Sequence, residues 1–263
     1  MLLVKNNPFT NVVANGVATL SLPIGMTYNR ILLALGGTFT KAMITDIKVK
    51  LNGKVILQNT GAKLDSINQE RNLTANPAFL TLDFVEPFAK RAEDQYLGNI
   101  NTGAGVSSLT VEITIAGATA PTLESYSELA SPAKLGAIAK QITYTAGFTG
   151  SGKFPMKLID IANRGALIKR VHFFHAGNLA AVEVKKNGIV IFDNIPTLVN
   201  NYNLAEYKNL PQANVYCYNP VLDNNYSNMI VTSDITSLDF NLTMTAADTV
   251  VAVLEVVDVL GNM

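Results

Sequence analysis

A few residues in this chain have types and spacings that could do chemistry. Residues 147–154 (GFTGSGKF) fit the G-x-x-x-x-G-K spacing of a loop that wraps a nucleotide phosphate in backbone N–H groups. That chemistry needs Ser or Thr after the lysine to hold magnesium, a strand before the loop and a helix after it. Phe154 stands where the hydroxyl should be, and Pro155 with the alternating residues beyond it disfavours a helix. The stretch therefore reads as a Gly-Ser loop between strands. His172 and His175, the two histidines, are three apart in HFFH. On a strand that spacing puts them on opposite faces, so they cannot grip one metal, and whichever points inward reads as a satisfied core or interface histidine. No G-x-S-x-G nucleophile elbow occurs. No catalytic or cofactor-binding residue is assigned, and the chain is not expected to be an enzyme.

Carboxylates are the remaining candidates, because calcium takes clustered oxygen ligands. Glu93 with Asp94, Asp223 with Asn224 and Asn225, and Asp234 lie in loop-like segments, but none has the spacing of a calcium loop, and solvated turns are the simpler reading. Metal ligands are left unassigned. The lone Cys217 cannot form an intrachain disulfide and reads as a small buried hydrophobe. Asn-x-Ser/Thr triplets at Asn72, Asn225 and Asn241 carry no weight without a secretory signal.

Charge excludes further classes. The 20 basic and 20 acidic residues balance, and neither sign gathers beyond pairs such as Lys90-Arg91 or Lys185-Lys186, so the basic footprint of a nucleic-acid binder is missing. No apolar stretch is long enough to span a bilayer, since even residues 250–260 contain Glu255 and Asp258. The opening MLLVKNNPF is too short for a signal peptide's apolar region, which leads to the expectation of a product made in a cytoplasm. Charged residues make up 15%, well below the roughly 25% of ordinary soluble domains, and the apolar share is 48%. A chain of this composition is expected to bury surface against partners.

The elements that would position such residues announce themselves by repetition. Residues 47–59 (IKVKLNGKVILQN) return as residues 182–194 (VEVKKNGIVIFDN), with seven of thirteen positions identical and no gap. In each copy alternating residues run into Asn-Gly and alternate again, the pattern of a strand, a type I′ turn and a returning strand. Convergence explains the Asn-Gly, which tolerates φ > 0. It does not explain the matches Val49/Val184, Lys50/Lys185, Val55/Val190, Ile56/Ile191 and Asn59/Asn194. Upstream, residues 30–37 (RILLALGG) are answered by residues 170–177 (RVHFFHAG), and residues 62–74 and 195–208 each suggest a short helix after the hairpin.

Further strands are expected at residues 12–22, 28–35, 79–85 and 108–115, then at 141–146, 156–161, 168–175, 229–233, 238–245 and 250–259. Residues 131–141 (SPAKLGAIAKQ) read instead as a short amphipathic helix, with Ser131 as N-cap, Pro132 at the first helical position, and Lys134 and Lys140 outside. The 263 residues have room for two cores. The expected fold is all-β, two tandem eight-stranded antiparallel jelly-roll β-sandwiches with a few short helices. Residues 1–125 form the first, 126–140 a linker with the short helix, and 141–263 the second.

With residues 21–25 (SLPIG), Thr27-Tyr28, the hairpin at 44–57, residues 79–85 (FLTLDFV) and residues 134–139 (KLGAIA) in this order, the chain resembles the double jelly-roll major capsid proteins. It is most similar to the small ones of corticovirus-like marine bacteriophages. The resemblance implies a structural major capsid protein of the virion, assembled in the host cytoplasm. It implies a homotrimer whose six jelly rolls make a pseudo-hexagonal capsomer, tiling an icosahedral shell over an internal membrane. Neighbouring capsomers, a vertex (penton) protein and internal membrane proteins are the implied partners, without sequence-specific nucleic-acid binding. No cofactor is required, and calcium at subunit interfaces is a family-level expectation with no ligands assigned.

A second reading is a tandem β-sandwich carbohydrate-binding or adhesin module, with a sugar held at loop tips. Tyr202, Tyr207, Tyr216, Tyr218 and Tyr226 would supply its stacking surface, and the absence of Trp counts against it.

Overall fold

Both copies of the repeated hairpin form, and they form alike. Asn52 and Asn187 each adopt φ of 51°, followed by Gly53 at 77° and Gly188 at 78°, the paired positive angles of a type I′ turn. The computed structural model describes residues 1–158 and 165–262. It divides into one unit of Met1–Gln141 with Asp258–Met263 and another of Ile142–Val257.

The first unit contains β1 (Leu2–Lys5), β2 (Val17–Leu22), β3 (Thr27–Gly37), β4 (Ile44–Leu51), β5 (Lys54–Asn59), helix α1 (Gly61–Glu70), β6 (Phe79–Asp83), the short helix α2 (Ala92–Gln95), β7 (Ile100–Asn101), β8 (Leu109–Ile115) and β9 (Pro121–Ala130). One sheet runs β1-β9-β3-β6, with β7 beside β3, and the other runs β2-β8-β4-β5. The strands alternate because each sheet turns one face to the core. In β3, Ile31, Leu33 and Leu35 point into a cluster shared with Leu20, Val49, Leu82 and Val111, while Arg30, Leu32 and Ala34 face away.

The second unit repeats this wiring strand for strand. It holds β10 (Ala137–Phe148), β11 (Gly152–Met156), β12 (Leu167–Phe174), β13 (Leu179–Lys186), β14 (Ile189–Pro196), helix α3 (Thr197–Glu206), β15 (Val215–Tyr218), β16 (Ile230–Val231), β17 (Leu238–Met244) and β18 (Asp248–Val259). Its sheets run β10-β18-β12-β15, with β16 beside β12, and β11-β17-β13-β14. Adding nine to every strand number of the first unit reproduces the second. Each unit is a jelly roll of eight strands with a ninth strand of two residues, and each has its own apolar cluster, the second built on Val171, Phe173, Val184, Phe240 and Leu254.

The duplication extends to irregular features. Register shifts between Tyr28 and Arg30 on β3 and between Ile168 and Arg170 on β12, in each case against the strand that closes the unit. A bulge at the same place in both copies is an inherited feature of the sheet. The turn asparagines also repeat. The Asn52 side-chain oxygen accepts from the Ser107 and Ser108 N–H groups at 2.7 and 3.3 Å, and its amide donates to the Gly105 carbonyl. The Asn187 oxygen accepts from the Thr236 and Ser237 N–H groups at 2.7 and 3.2 Å, and its amide donates to the Asp234 carbonyl. Each hairpin tip is thus tied to the loop before its neighbouring strand.

Four sequence expectations need correction. The helix over residues 131–141 does not form. The Leu135 and Ala139 N–H groups donate to the Ala104 and Gly98 carbonyls, and Gly103 donates to Ala133, so the backbone bonds sideways. A single short helix with Gly136 inside it is marginal on its own, and these lateral partners win. Lys140, expected on an outer face, is buried 3.1 Å from Asp258. A boundary at residue 125 cuts through β9, which lies between β1 and β3. That strand escaped detection because two of its inward positions are serines, Ser125 and Ser127, hydrogen-bonded to Asn6. Finally, the strand expected at 12–22 starts only at Val17, and β11 ends at Met156, where a strand over 156–161 was expected. Residues 159–161 of that expectation lie outside the described residues.

Candidate assembly surfaces

The phosphate-loop spacing is used for a connection between strands of two different sheets. β10 ends at Phe148 and β11 begins at Gly152, so a strand stands where a nucleotide fold needs a helix. Pro155 is accommodated because β11 is an edge strand, where a missing N–H breaks no ladder. Lys153 reaches Glu183 at 2.7 Å, and Lys185 and the Asn241 amide meet the same carboxylate at 3.2 and 2.9 Å. The Lys153 hydrogen bond foremost pulls the Glu183 pKa down to about 2.

The histidines separate as their spacing requires. His172 lies on β12 between the core residues Val171 and Phe173, so its ring faces away from the core, and it is buried 3.5 Å from a Glu255 oxygen. His175 lies beyond the strand and accepts from the Gly177 N–H at 2.9 Å, with burial lowering its pKa. The carboxylates are engaged locally. Glu93 pairs with Arg91 on the α2 turn, Asp223 accepts from the Asn225 N–H, and Asp234 pairs with Lys186 at 2.9 Å. Cys217 is a buried thiol on β15. The five tyrosines split. Tyr216 and Tyr218 belong to the second core, where burial pushes the Tyr218 hydroxyl up to about 12. Tyr226 is buried with its hydroxyl 2.6 Å from Arg170, leaving Tyr202 and Tyr207 exposed at α3. This is not the clustered loop-tip surface a sugar site needs.

The polar groups that matter lie on the outward face of each bulged sheet. In the first unit, Arg30 sits opposite Glu128 across β3 and β9, with nitrogen and oxygen 3.8 Å apart, and its Nε donates to Asp83 at 3.2 Å. Arg71 joins this group, 2.9 Å from Glu86. Burial raises the Asp83 pKa, while the Arg71 and Arg30 guanidinium groups oppose the rise. In the second unit, Arg170 occupies the same register opposite Glu255 at 3.2 Å. The pair is the same but its surroundings differ: the Arg30 side chain is 25% exposed and Arg170 only 5%. The next outward positions follow suit. Leu32 and its cross-strand partner Thr81 are partly open, and their counterparts His172 and Cys217 are buried. Beside the open face lies a cavity of about 330 Å³, lined by Arg30, Leu32, Asn68, Phe79, Thr81 and Phe88 among others.

The hairpin and helix show the opposite contrast. Both helices are fastened alike, with the Asn68 amide donating to the Thr81 carbonyl at 2.8 Å and Asn200 to Cys217 at 2.9 Å. In the first unit Ile56, Leu57 and Asn59 of β5 are buried, as are five residues of α1. In the second unit their hairpin counterparts Ile191 and Asn194 are exposed and Phe192 is half-buried, while α3 buries only Asn200 and Leu204. Leu198 stands 81% exposed and Tyr202 68%. The sequence carried a signal for this surface. Ile189 replaces Lys54 beside the turn, an apolar residue where a hairpin tip is normally polar.

Comparison with known proteins places these surfaces in context. No curated protein sequence matches the chain. Its fold matches the crystal structure of the major capsid protein P2 from bacteriophage PM2, with a TM-score of 0.92 at 20% identity over 98% of this chain and 97% of that one. The STIV major capsid protein matches with a TM-score of 0.71 at 12% identity, covering 98% and 96% of the two chains. The Faustovirus major capsid protein matches with 0.64 at 7% identity, covering 98% and 89%. All share the two-sandwich fold. Residues 3–130 match the family described as viral coat protein P2 N-terminal domain, and residues 138–260 match the corresponding C-terminal domain. The chain therefore belongs to the P2 viral coat protein family, a family of structural proteins and not of enzymes, and is a major capsid protein of a virus.

Proposed function

We propose that three copies of this chain form a homotrimeric capsomer of near-hexagonal outline that tiles an icosahedral shell over an internal membrane. The observation that carries this reading is the strand-for-strand identity of the two sheet topologies. A chain holding two equivalent sandwiches gives six similar blocks from three copies, and a hexagonal block packs in a lattice while its two kinds of corner stay distinguishable. The low charge content and the bare apolar surface of the second hairpin and helix support burial between subunits. Neighbouring capsomers, a vertex protein and internal membrane proteins are the partners such a shell requires. Calcium at the lateral contacts is part of the same proposal, without ligands among the residues described above. Solution mass by light scattering tests the core of it: about three chains per particle is expected, and a strict monomer at micromolar concentration overturns it. Addition of calcium followed by a chelator tests the metal, by shifting the dissociation midpoint or leaving it unchanged.

A further inference from the structure

Asparagine followed by glycine is prone to lose its side-chain amide, because glycine, lacking Cβ, leaves its backbone nitrogen open to reach the asparagine Cγ. The chain has three such pairs, Asn15-Gly16, Asn52-Gly53 and Asn187-Gly188. All three asparagines are exposed, and all three adopt positive φ, at 56°, 51° and 51°. Neither access to water nor backbone region separates them. What separates them is how the carboxamide is held.

The Asn52 oxygen accepts from the Ser107 N–H, the Ser107 hydroxyl and the Ser108 N–H at 2.7, 3.1 and 3.3 Å, and its amide donates to the Gly105 carbonyl at 3.0 Å. The Asn187 oxygen accepts from the Thr236 N–H, the Thr236 hydroxyl and the Ser237 N–H at 2.7, 3.0 and 3.2 Å, and its amide donates to the Asp234 carbonyl at 3.0 Å. Among the described residues, the Asn15 side chain has a single hydrogen bond, its oxygen accepting from the Gly117 N–H at 3.4 Å. The Gly16 N–H, which must become the nucleophile, donates to the Val13 carbonyl across a surface turn at 3.1 Å. Bringing Cγ onto the next nitrogen thus breaks two bonds at Asn15 and four at each hairpin tip, where the tip must also leave its neighbouring loop. Each such bond shifts an opening equilibrium about fivefold, so local opening favours reaction at Asn15 by more than about tenfold.

We infer that Asn15 is a site of spontaneous deamidation in the folded chain, and that the ties on Asn52 and Asn187 keep two equally susceptible sequences from the same reaction. The Gly16 N–H proton passes to hydroxide, the nitrogen bonds to the Asn15 Cγ, and the Cγ–Nδ2 bond breaks. Ammonia leaves with a proton taken from water. The cyclic imide then takes up one water and opens to an aspartyl or isoaspartyl residue, so that overall one water is consumed and one ammonia released. Position 15 gains a negative charge in the turn before β2, and the isoaspartyl product also lengthens the backbone there by one carbon.

Peptide mapping of the full chain during incubation at mildly alkaline pH tests this, with the mass gain from amide to acid read at each pair and melting temperature recorded beside it. In urea the three pairs are expected to convert at similar rates, since the hydrogen bonds are gone. In the folded chain Asn15 is expected to convert at least about tenfold faster than Asn52 or Asn187. Ser107→Ala and Thr236→Ala each remove one bond of a tie and are expected to speed their own pair, Asn52 or Asn187, by about fivefold while leaving Asn15 unchanged. Equal rates at all three pairs in the folded chain, or an Asn15 that keeps its amide while the urea sample converts, overturn the assignment. Variants that leave their own pair as slow as in the parent chain, or that speed all three alike, overturn the protective role of the ties.

Discussion

The two sandwiches share what lies inside a sheet and differ in what lies outside it. The bulge, the Arg–Glu pair beside it, the asparagine that ties each hairpin tip and the asparagine that fastens each helix occur in both units at equivalent positions. What separates the units is the cover over two faces, the outer sheet face and the hairpin–helix face. A doubled fold thus keeps its framework contacts while its exposed surfaces become unlike. The two halves thus offer unlike surfaces on a like framework.

Substitutions in matched pairs sharpen or break this comparison. The largest expected effect is from Val49→Asp and Val184→Asp, which place a carboxylate among apolar side chains in the two cores. Each should cost at least about 4 kcal/mol and unfold its own unit, since the charge finds no partner there. Limited proteolysis with mass mapping of the fragments checks which unit opens. Equal opening of both units by either variant would show that the cores are not independent. Next comes an unequal pair. Arg170→Ala leaves Glu255 buried and should cost about 3–5 kcal/mol, as for breaking a buried ion pair. Arg30→Ala, at a half-open site, should cost about 1 kcal/mol in the monomer. Urea unfolding midpoints of the two variants give the difference, and similar losses would contradict the unequal burial.

An equal pair follows. Asn52→Ala and Asn187→Ala remove the same tie and force a residue other than Gly or Asn to positive φ, for about 2 kcal/mol each. Unequal losses would mean that the two turns are alike in shape but not in strain. The smallest effect separates the units by pH. The Glu183 pKa, held at about 2 in the fold against an ordinary 4.5, is lowered. A lowered carboxylate pKa contributes stability that is full above pH 4.5 and lost as pH falls toward 2. Glu183→Gln should therefore flatten the stability profile of the second unit between pH 4.5 and 2, by less than about 1 kcal/mol because its lysine partners Lys153 and Lys185 are open to solvent. A profile parallel to that of the parent chain would remove this role.

Most of the architecture was legible because period-two alternation and the Asn-Gly turn act locally. The hairpins and the helices after them fall where residues 47–74 and 182–208 predict. The strands that escaped are those whose inward side chains do not advertise burial. β9 uses buried serines, and β15 is four residues long with no alternation, all of them buried. The false helix at 131–141 arose because helical spacing is a local property, while the backbone partners that prevent it are about thirty residues upstream, at 98–104. The assembly faces were the least legible. They turn on a difference of exposure between Ile56 and Ile191, which occupy equivalent places after the two Asn-Gly turns, and the signal for it was limited to Ile189 in place of Lys54.

β18 carries the chain out of the second unit, and Asp258 then returns to the first to neutralise Lys140. The first unit is therefore completed by residues that lie 118 positions beyond Lys140 in the chain. A chain cut short of residue 258 leaves the amino-terminal sandwich without its last segment.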